Sequence, residues 1–197
     1  PDLLVNTDGP ITTLNFNRPN ARNALSLEMR SMLRESLLEA ECDKNVRCVV
    51  LRGIGGHFMA GGDVKAMSGI IDNDPDAIRN YFINRIHDLH PIMFSMRRMP
   101  KPVIASVEGA AAGAGVSIAL ASDLVIADAD AFFTLAYCRI GTSPDGSGTF
   151  HLPRAVGIKK AMEIALLGDR YDALIAKDIG MINFVAKAGT LKEETDK

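Results

Sequence analysis

Two glycine-rich loops are the first features of the sequence that could support chemistry. The first glycine loop is His57–Asp63, and the second glycine loop is Val107–Gly115. Each follows an apolar run, and their small residues would let a ligand's carbonyl group touch the backbone. Two N–H groups from separate loops can converge on one oxygen, and a helix starting at Ala114 would add its positive end. Such a pair stabilises an oxyanion, and losing one donor from a comparable site costs about 3–4 kcal/mol.

A nucleotide site is the main alternative for loops of this composition. Neither loop has the GxGxxG spacing, because GAG at 113–115 continues as VSI where a glycine or alanine is expected. The lysine of a phosphate-binding P-loop is also missing. Taken alone, the residues leave a further alternative open, in which these glycines and alanines serve only close packing of a helix.

One carboxylate stands out outside the loops. Asp145 lies in the segment TSPDGSGT at 142–149, just before a predicted helix. On local sequence alone, an aspartate here is typical of a helix N-cap or an Asx turn. Glu108 and Asp123 flank the second glycine loop, and we interpret them as a strand-end residue and a structural cap.

The elements that must position these residues alternate between strands and helices. Ser26 is a predicted N-cap, and apolar residues then recur at helical spacing to about Glu41. Continuous apolar strands between helices indicate an α/β fold with buried strands, formed by residues 1–197 as a single domain. We predict strands at 11–16, 48–51, 103–107 and 124–127, and helices at 26–41, 76–98, 117–121, 161–167 and 172–179.

The composition of the chain excludes several classes of function. The chain has 197 residues, 47% of them hydrophobic, and a net charge of −2 without a block of like charge, so neither a nucleic-acid partner nor a membrane surface is indicated. Three cysteines without CxxC spacing and four histidines without an HExxH pattern give no metal site. With no apolar run of membrane-spanning length and no signal peptide, we expect a cytoplasmic protein. The charged end LKEETDK has no apolar partners, and we expect it to be cut off or frayed.

Four sequence blocks, in order and correctly spaced, resemble one known family. They are NRPNARNAL, IGGHFMAGGDVKAM, KPVIASVEGAAAGAGVSIALASDLVIA, and GTSPDGSGTFHLPRAVG followed by KAMEIALLGDR. The sequence is thereby similar to the crotonase (enoyl-CoA hydratase/isomerase) superfamily over nearly its whole length. The resemblance implies a spiral of ββα turns, assembly as a homotrimer or a dimer of trimers, and an acyl-CoA thioester substrate. The resemblance further implies a C-terminal helical segment that closes the acyl-CoA site, and we expect this segment to be absent from this sequence or truncated.

The resemblance also implies roles for individual residues. The oxyanion donors would be the N–H groups of Gly62 and Ala114. No cofactor is implied, because coenzyme A is part of the substrate. Substrate contacts would involve Ala21, Ala24, Ala60, Gly61, Asp63, Val64, Lys65, Gly113 and Tyr137.

The acid–base residues depart from the family's hydratases. Those enzymes use two glutamates, and the matching positions here are Ser117 and Tyr137, which argues against efficient hydration. Family members with a similar S-P-D-x-G segment include dienoyl-CoA isomerases and ring-opening epoxide isomerases, which makes Asp145 the predicted catalytic acid–base of an isomerase. A hydratase and a non-catalytic acyl-CoA-binding paralogue remain alternatives. So does an enzyme resembling 4-chlorobenzoyl-CoA dehalogenases, with Asp145 as nucleophile beside Tyr137 and His90.

Overall fold

A computed structural model describes residues 1–70 and 72–197 and shows alternating strands and helices. The strands are β1 Leu3–Asp8, β2 Ile11–Phe16, β3 Cys48–Gly53, β4 Val103–Val107, β5 Ala110–Ala112, β6 Leu124–Asp128, β7 Phe132–Thr134, β8 Tyr171–Asp172 and β9 Phe184–Ala186. The helices are α1 Leu27–Cys42, α2 Val64–Ser68, α3 Pro75–Arg98, α4 Ala114–Ala121, α5 Gly148–Val156, α6 Ile158–Leu167, α7 Ala173–Asp178 and α8 Leu191–Thr195.

The larger sheet has six strands in the order β1-β2-β3-β4-β6-β9. The strands β1 and β2 form an antiparallel hairpin, and every other pair in this sheet is parallel. The central strands have continuous apolar sequences because both faces of the sheet are covered by other parts of the chain. In β3, for example, Val49, Val50 and Leu51 are each at most 2% exposed. The predicted strands are therefore confirmed, with β3 and β6 slightly longer than expected.

A smaller sheet has three strands in the order β5-β7-β8. Its strands have only two or three residues each, which is too short for a periodic signal, so the sequence did not predict them. An isolated bridge between Met59 and Ala111 joins the first glycine loop to β5. The small sheet thus holds the two glycine loops side by side.

The helix α1 forms as its sequence predicts. Ser26 is the N-cap, and its Oγ accepts a hydrogen bond from the Met29 N–H at 3.0 Å. Met29, Leu33 and Leu37 are fully buried on one face, and α1 packs against α3. None of the described helices is both long enough and apolar enough to cross a membrane.

The expectation of a frayed tail is wrong. Residues 191–195 form α8, and Leu191 is only 8% exposed because it packs with Ile126 and Ala186. The Thr195 hydroxyl is hydrogen-bonded to that of Ser106 at 2.9 Å. A single apolar residue in a charged segment gives no periodic signal, so its partners became visible only in the folded chain.

Candidate active site

The first glycine loop is fixed in place on both sides by backbone hydrogen bonds. Met59 donates to the Ala110 carbonyl at 3.0 Å and accepts from the Ala112 N–H at 2.9 Å. On the opposite side, the Gly61 carbonyl accepts from the Leu25 N–H at 2.8 Å. Isolated bridges therefore join the loop to β5 on one side and to the segment that precedes α1 on the other.

The two glycine loops touch backbone to backbone, which only glycine permits here. Gly61 has a φ of +97°, and a Cβ atom on it would lie 3.0 Å from the Ala112 carbonyl oxygen and 3.6 Å from the Ala114 nitrogen. A Cβ atom on Gly115 would lie 2.3 Å from the Met59 carbonyl oxygen. The glycines thus serve close packing, and the same packing brings the Gly61 backbone close to the start of α4.

Two backbone N–H groups at this contact have no partner. Within residues 1–70 and 72–197, the Gly62 N–H and the Ala114 N–H donate to neither a carbonyl nor a side chain. The adjacent Gly113 N–H, in contrast, donates to the Thr134 carbonyl at 2.9 Å. Because α4 begins at Ala114 without a side-chain cap, its first N–H is oriented for an external acceptor. The arrangement is suited to binding one oxygen that carries negative charge.

The carboxylate of Asp145 faces the same cleft. Its Oδ1 accepts a hydrogen bond from the Tyr137 hydroxyl at 2.6 Å. Burial, and then the negative charge of Asp145, raise the pKa of Tyr137, so the phenol stays neutral and remains a donor. The other carboxylate oxygen, Oδ2, makes no hydrogen bond in the described part of the chain and is free to receive a proton.

The segment around Asp145 packs tightly on Ser117. The Ser117 hydroxyl donates to the Asp145 backbone carbonyl at 2.9 Å. A Cβ atom on Gly146 would lie 3.1 Å from the Ser117 Cβ, and one on Gly148 would lie 2.8 Å from its Oγ. A glutamate at 117 would have no room here, so the small residue and the position of Asp145 depend on each other.

The capping interpretation of Asp145 is wrong. The N-cap of α5 is Ser147, with a φ of 59° and no side-chain cap bond. The side-chain partner of Asp145 is the Tyr137 hydroxyl and not a backbone N–H. Asp123, by contrast, does have the structural role expected of it, since it accepts from the Val103 N–H at 2.9 Å and pairs with Arg97 at 3.2 Å.

Most of the predicted site residues meet around one cleft. Its narrow part has a volume of about 120 Å³ and contains the two free N–H groups. A wider part of about 580 Å³ adjoins it and shares Tyr137, Ile140 and Asp145. Predicted residues that line the narrow part are Ala60, Gly61, Gly62, Val64, Gly113, Ala114, Tyr137 and Asp145.

Four predicted substrate contacts lie beside this cleft and not in its lining. Ala21 and Ala24 belong to the turn that precedes α1. Asp63 caps α2 and pairs with Arg18 at 3.0 Å, and the Ala66 N–H and the Arg18 guanidinium hold its pKa below the usual value. Lys65 is exposed on α2. Their roles towards the CoA part of a substrate stay predictions.

Sequence reasoning missed two arginines in the cleft wall. Arg30 lines the narrow part and Arg85 the wide part, and each is only 6% exposed. Burial, and then the nearby charge of Arg85, lower the pKa of Arg30 to about 10. The sequence did contain a signal for Arg30, because this charged residue follows Met29 directly and lies among the buried residues of α1. His90 also lines the wide part.

Metal ligands do not cluster in the described part of the chain. Among residues 1–70 and 72–197, no group of three or more His, Cys, Asp and Glu side chains could hold a metal ion. All three cysteines are free thiols. The ionisable side chains that line the cleft are one carboxylate, one phenol, one imidazole and two guanidiniums, and the other polar side chains are the hydroxyls of Thr142, Ser143, Ser147 and Thr149.

Comparison with known proteins gives a consistent result. A family model described as enoyl-CoA hydratase/isomerase matches residues 6–197. The 1,2-epoxyphenylacetyl-CoA isomerase of Escherichia coli is 37% identical over 97% of this chain and 72% of its own length. The trans-2-decenoyl-acyl-carrier-protein isomerase of Streptococcus mutans is 32% identical over 100% of this chain and 73% of its own length.

Solved structures agree with the sequence matches. The crystal structure of an enoyl-CoA hydratase from Polaromonas superposes with a TM-score of 0.90 at 38% identity, covering 98% of this chain and 73% of that one. An enoyl-CoA hydratase from Mycobacterium smegmatis gives a TM-score of 0.91 at 34% identity, covering 100% and 74%. The resemblance and the α/β fold predicted from the sequence are thereby confirmed.

Proposed function

Because the chain belongs to the enoyl-CoA hydratase/isomerase family and is an acyl-CoA-processing enzyme, we propose that it is an isomerase that moves a double bond within the acyl group or carries out a related isomerisation. One observation carries the proposal. A single carboxylate, Asp145, faces the cleft that also contains the unpaired N–H groups of Gly62 and Ala114. The relatives named as isomerases support the same reaction class.

The proposed reaction begins with the thioester carbonyl oxygen between the two N–H groups. As Asp145 removes a proton from the carbon beside the carbonyl, the negative charge moves onto that oxygen, and the two donors stabilise the enolate. The neutral carboxylic acid then returns the proton further along the acyl chain. Protons and electrons balance within the substrate, so the reaction needs no metal or redox cofactor.

The hydrogen bond from Tyr137 decides which carboxylate oxygen reacts. Oδ1 of Asp145 accepts from the phenol at 2.6 Å, so the proton is received by Oδ2. The bond also fixes the carboxylate's rotamer before substrate arrives, which reduces the cost of positioning it during the reaction.

Hydration has weaker support than isomerisation. It would need a base for water and an acid for the neighbouring carbon, and the family positions for these groups hold Ser117 and Tyr137. The Ser117 hydroxyl donates its hydrogen bond to the Asp145 backbone carbonyl, and the pKa of Tyr137 is raised. Neither side chain therefore acts as a base near neutral pH. The relatives named as hydratases keep this as the second candidate.

A proton-exchange experiment tests the proposal. In deuterated buffer, we expect the protein to interconvert 3-enoyl-CoA and 2-enoyl-CoA and to incorporate deuterium. Asp145→Asn should lower kcat by at least about 100-fold, within the contribution typical of general acid–base catalysis. The control Asp130→Asn changes an exposed aspartate outside the cleft and should retain activity. Fast hydration that survives Asp145→Asn would refute the assignment.

Assembly and location belong to the proposal as well. We infer a homotrimer or a dimer of trimers, supported by the family resemblance and by exposed apolar side chains on α5, α6 and α7. The cytoplasmic location and the absence of a nucleic-acid partner stay predictions from the sequence.

A further inference from the structure

Two buried arginines in the cleft wall lack the partners that buried charges normally have. Arg30 donates through Nη1 to the Arg85 carbonyl at 2.7 Å, and Arg85 donates through Nη1 to the Tyr81 hydroxyl at 3.1 Å. Arg30 Nε and Arg85 Nη2 are buried without any hydrogen bond. Neither guanidinium is ion-paired with a carboxylate in the part of the chain that the structure describes. Each is 6% exposed, so solvent does little to stabilise the charge.

The pair lies next to the reacting groups. Arg30 lines the narrow part of the cleft together with Gly62, Ala114 and Asp145. Arg85 lines the wide part, which also contains Asp145, and its Nη2 would be 3.5 Å from a Cβ atom on Gly62. Since Asp145 acts on the acyl group in the proposed reaction, the arginines belong to the acyl side of the cleft.

Charge in the cleft wall does not balance. The lining contains two guanidiniums and one carboxylate, that of Asp145. Asp63 is engaged by Arg18 at 3.0 Å, and Asp88 near Arg30 is exposed to solvent. A bound ligand with one negative charge on its acyl group would neutralise the surplus, and guanidiniums are suited to binding a carboxylate because their donors lie in one plane.

We propose that Arg30 and Arg85 form a carboxylate subsite, so that the substrates are CoA thioesters whose acyl group carries a carboxylate at its distal end. The inference rests on the proposed function, because the thioester bound by Gly62 and Ala114 fixes which end of the acyl group reaches the arginines. The phosphates of coenzyme A are the other anions available. They are separated from the thioester by the pantetheine arm and do not reach the acyl side.

Matched pairs of saturated thioesters test the subsite without requiring turnover. We compare succinyl-CoA with butyryl-CoA, glutaryl-CoA with pentanoyl-CoA, and adipyl-CoA with hexanoyl-CoA by calorimetry. For at least one chain length the dicarboxylic thioester should bind about tenfold more tightly, as expected of hydrogen bonds to a charged group. If no pair shows this preference in the wild-type protein, the proposal is overturned whatever the variants do.

Substitution of the two cleft arginines tests whether they cause the preference for the dicarboxylic thioester. Arg30→Met and Arg85→Met each remove a cation and leave an apolar side chain, and they should abolish most of the preference while pentanoyl-CoA binds within about twofold of wild type. Arg79→Met is the matched control, because Arg79 is exposed on α3, the helix that also carries Arg85. This variant should leave the preference unchanged. A preference that persists in both cleft variants, with folding verified by thermal melting, would contradict the assignment.

Pantetheine thioesters separate the two sources of anion. Glutaryl-pantetheine and pentanoyl-pantetheine lack all CoA phosphates, and the preference for the glutaryl compound should remain. If instead the variants weaken both CoA esters equally and neither pantetheine ester, the arginines bind phosphate and the proposal is wrong. Because these readouts are affinities, they stand apart from the isomerase assay, whose failure would remove the reaction but not a measured carboxylate preference.

Discussion

At the scale of single residues, the site is defined by small residues as much as by reactive ones. By the family resemblance, Ser117 stands where the hydratases have a glutamate, and its small side chain packs against the segment that carries Asp145. Tyr137 takes the place of the second carboxylate and holds Asp145 by a hydrogen bond of 2.6 Å. Ser117 and Tyr137, which both differ from the hydratase pattern, therefore both help to hold Asp145 in place as the proposed single acid–base residue.

The bond between Tyr137 and Asp145 gives a prediction with a pH dependence. Tyr137→Phe should lower kcat about tenfold, because a hydrogen bond to a charged group contributes about 1.5–3 kcal/mol, and should change KM little. The raised pKa of Tyr137 means that its hydroxyl is fully protonated below its ordinary pKa of 10.0, and the bond is lost only above that pH. Steady-state kinetics from pH 6 to about pH 9.5 should therefore show the same alkaline profile in wild type and variant. An alkaline limb that disappears in the variant would mean that the phenol titrates during catalysis.

At the scale of elements, the sequence predicted most of the framework and missed the edge strand β1 and the short strands. The helix α1 was predictable because helical apolar spacing and an N-cap at Ser26 agree, and the strands β2 to β4 were predictable as short apolar segments. The strands β5, β7 and β8 are too short for such a signal, although β5 is what fixes the two glycine loops together. The loops themselves were visible as glycine patterns, but Arg30 and Arg85 were not, because their burial results from packing between α1 and α3.

The start of α4 gives an element-scale prediction. Ala114→Pro removes one N–H at the first helical position, where proline is tolerated, so the fold should survive. The variant should lose a factor of about 100 to 1,000 in kcat, as when other oxyanion donors are removed. Ala114→Gly is the control, because it keeps the N–H and should retain most activity. The measurement is kcat on 3-enoyl-CoA with circular dichroism of both variants, and unchanged kcat in a folded Ala114→Pro variant would refute the oxyanion role.

At the scale of the whole molecule, one surface remains without a partner. Helices α5, α6 and α7 carry large apolar side chains that are 49% to 69% exposed, namely Phe150, Ile158, Met162, Leu166, Leu167 and Leu174. The helices lie close together, since α5 packs on α6 and a Cβ atom on Gly180 after α7 would be 3.1 Å from the Ala155 carbonyl oxygen of α5. A concentration of exposed apolar groups of this kind marks an interaction surface. We propose that this surface packs against further copies of this chain, as the family resemblance implies.

The last prediction follows from that surface. Light scattering after gel filtration should give a mass of three or six chains for the wild-type protein. Leu166→Lys combined with Leu174→Lys would place charges where apolar contact is expected, and an unpaired buried charge costs several kcal/mol, so the double variant should dissociate into monomers. Lys192→Leu changes an exposed residue of α8, away from the surface, and should leave the assembly intact. A wild-type monomer at micromolar concentration, or a double variant that still forms trimers, would show that these helices face another partner.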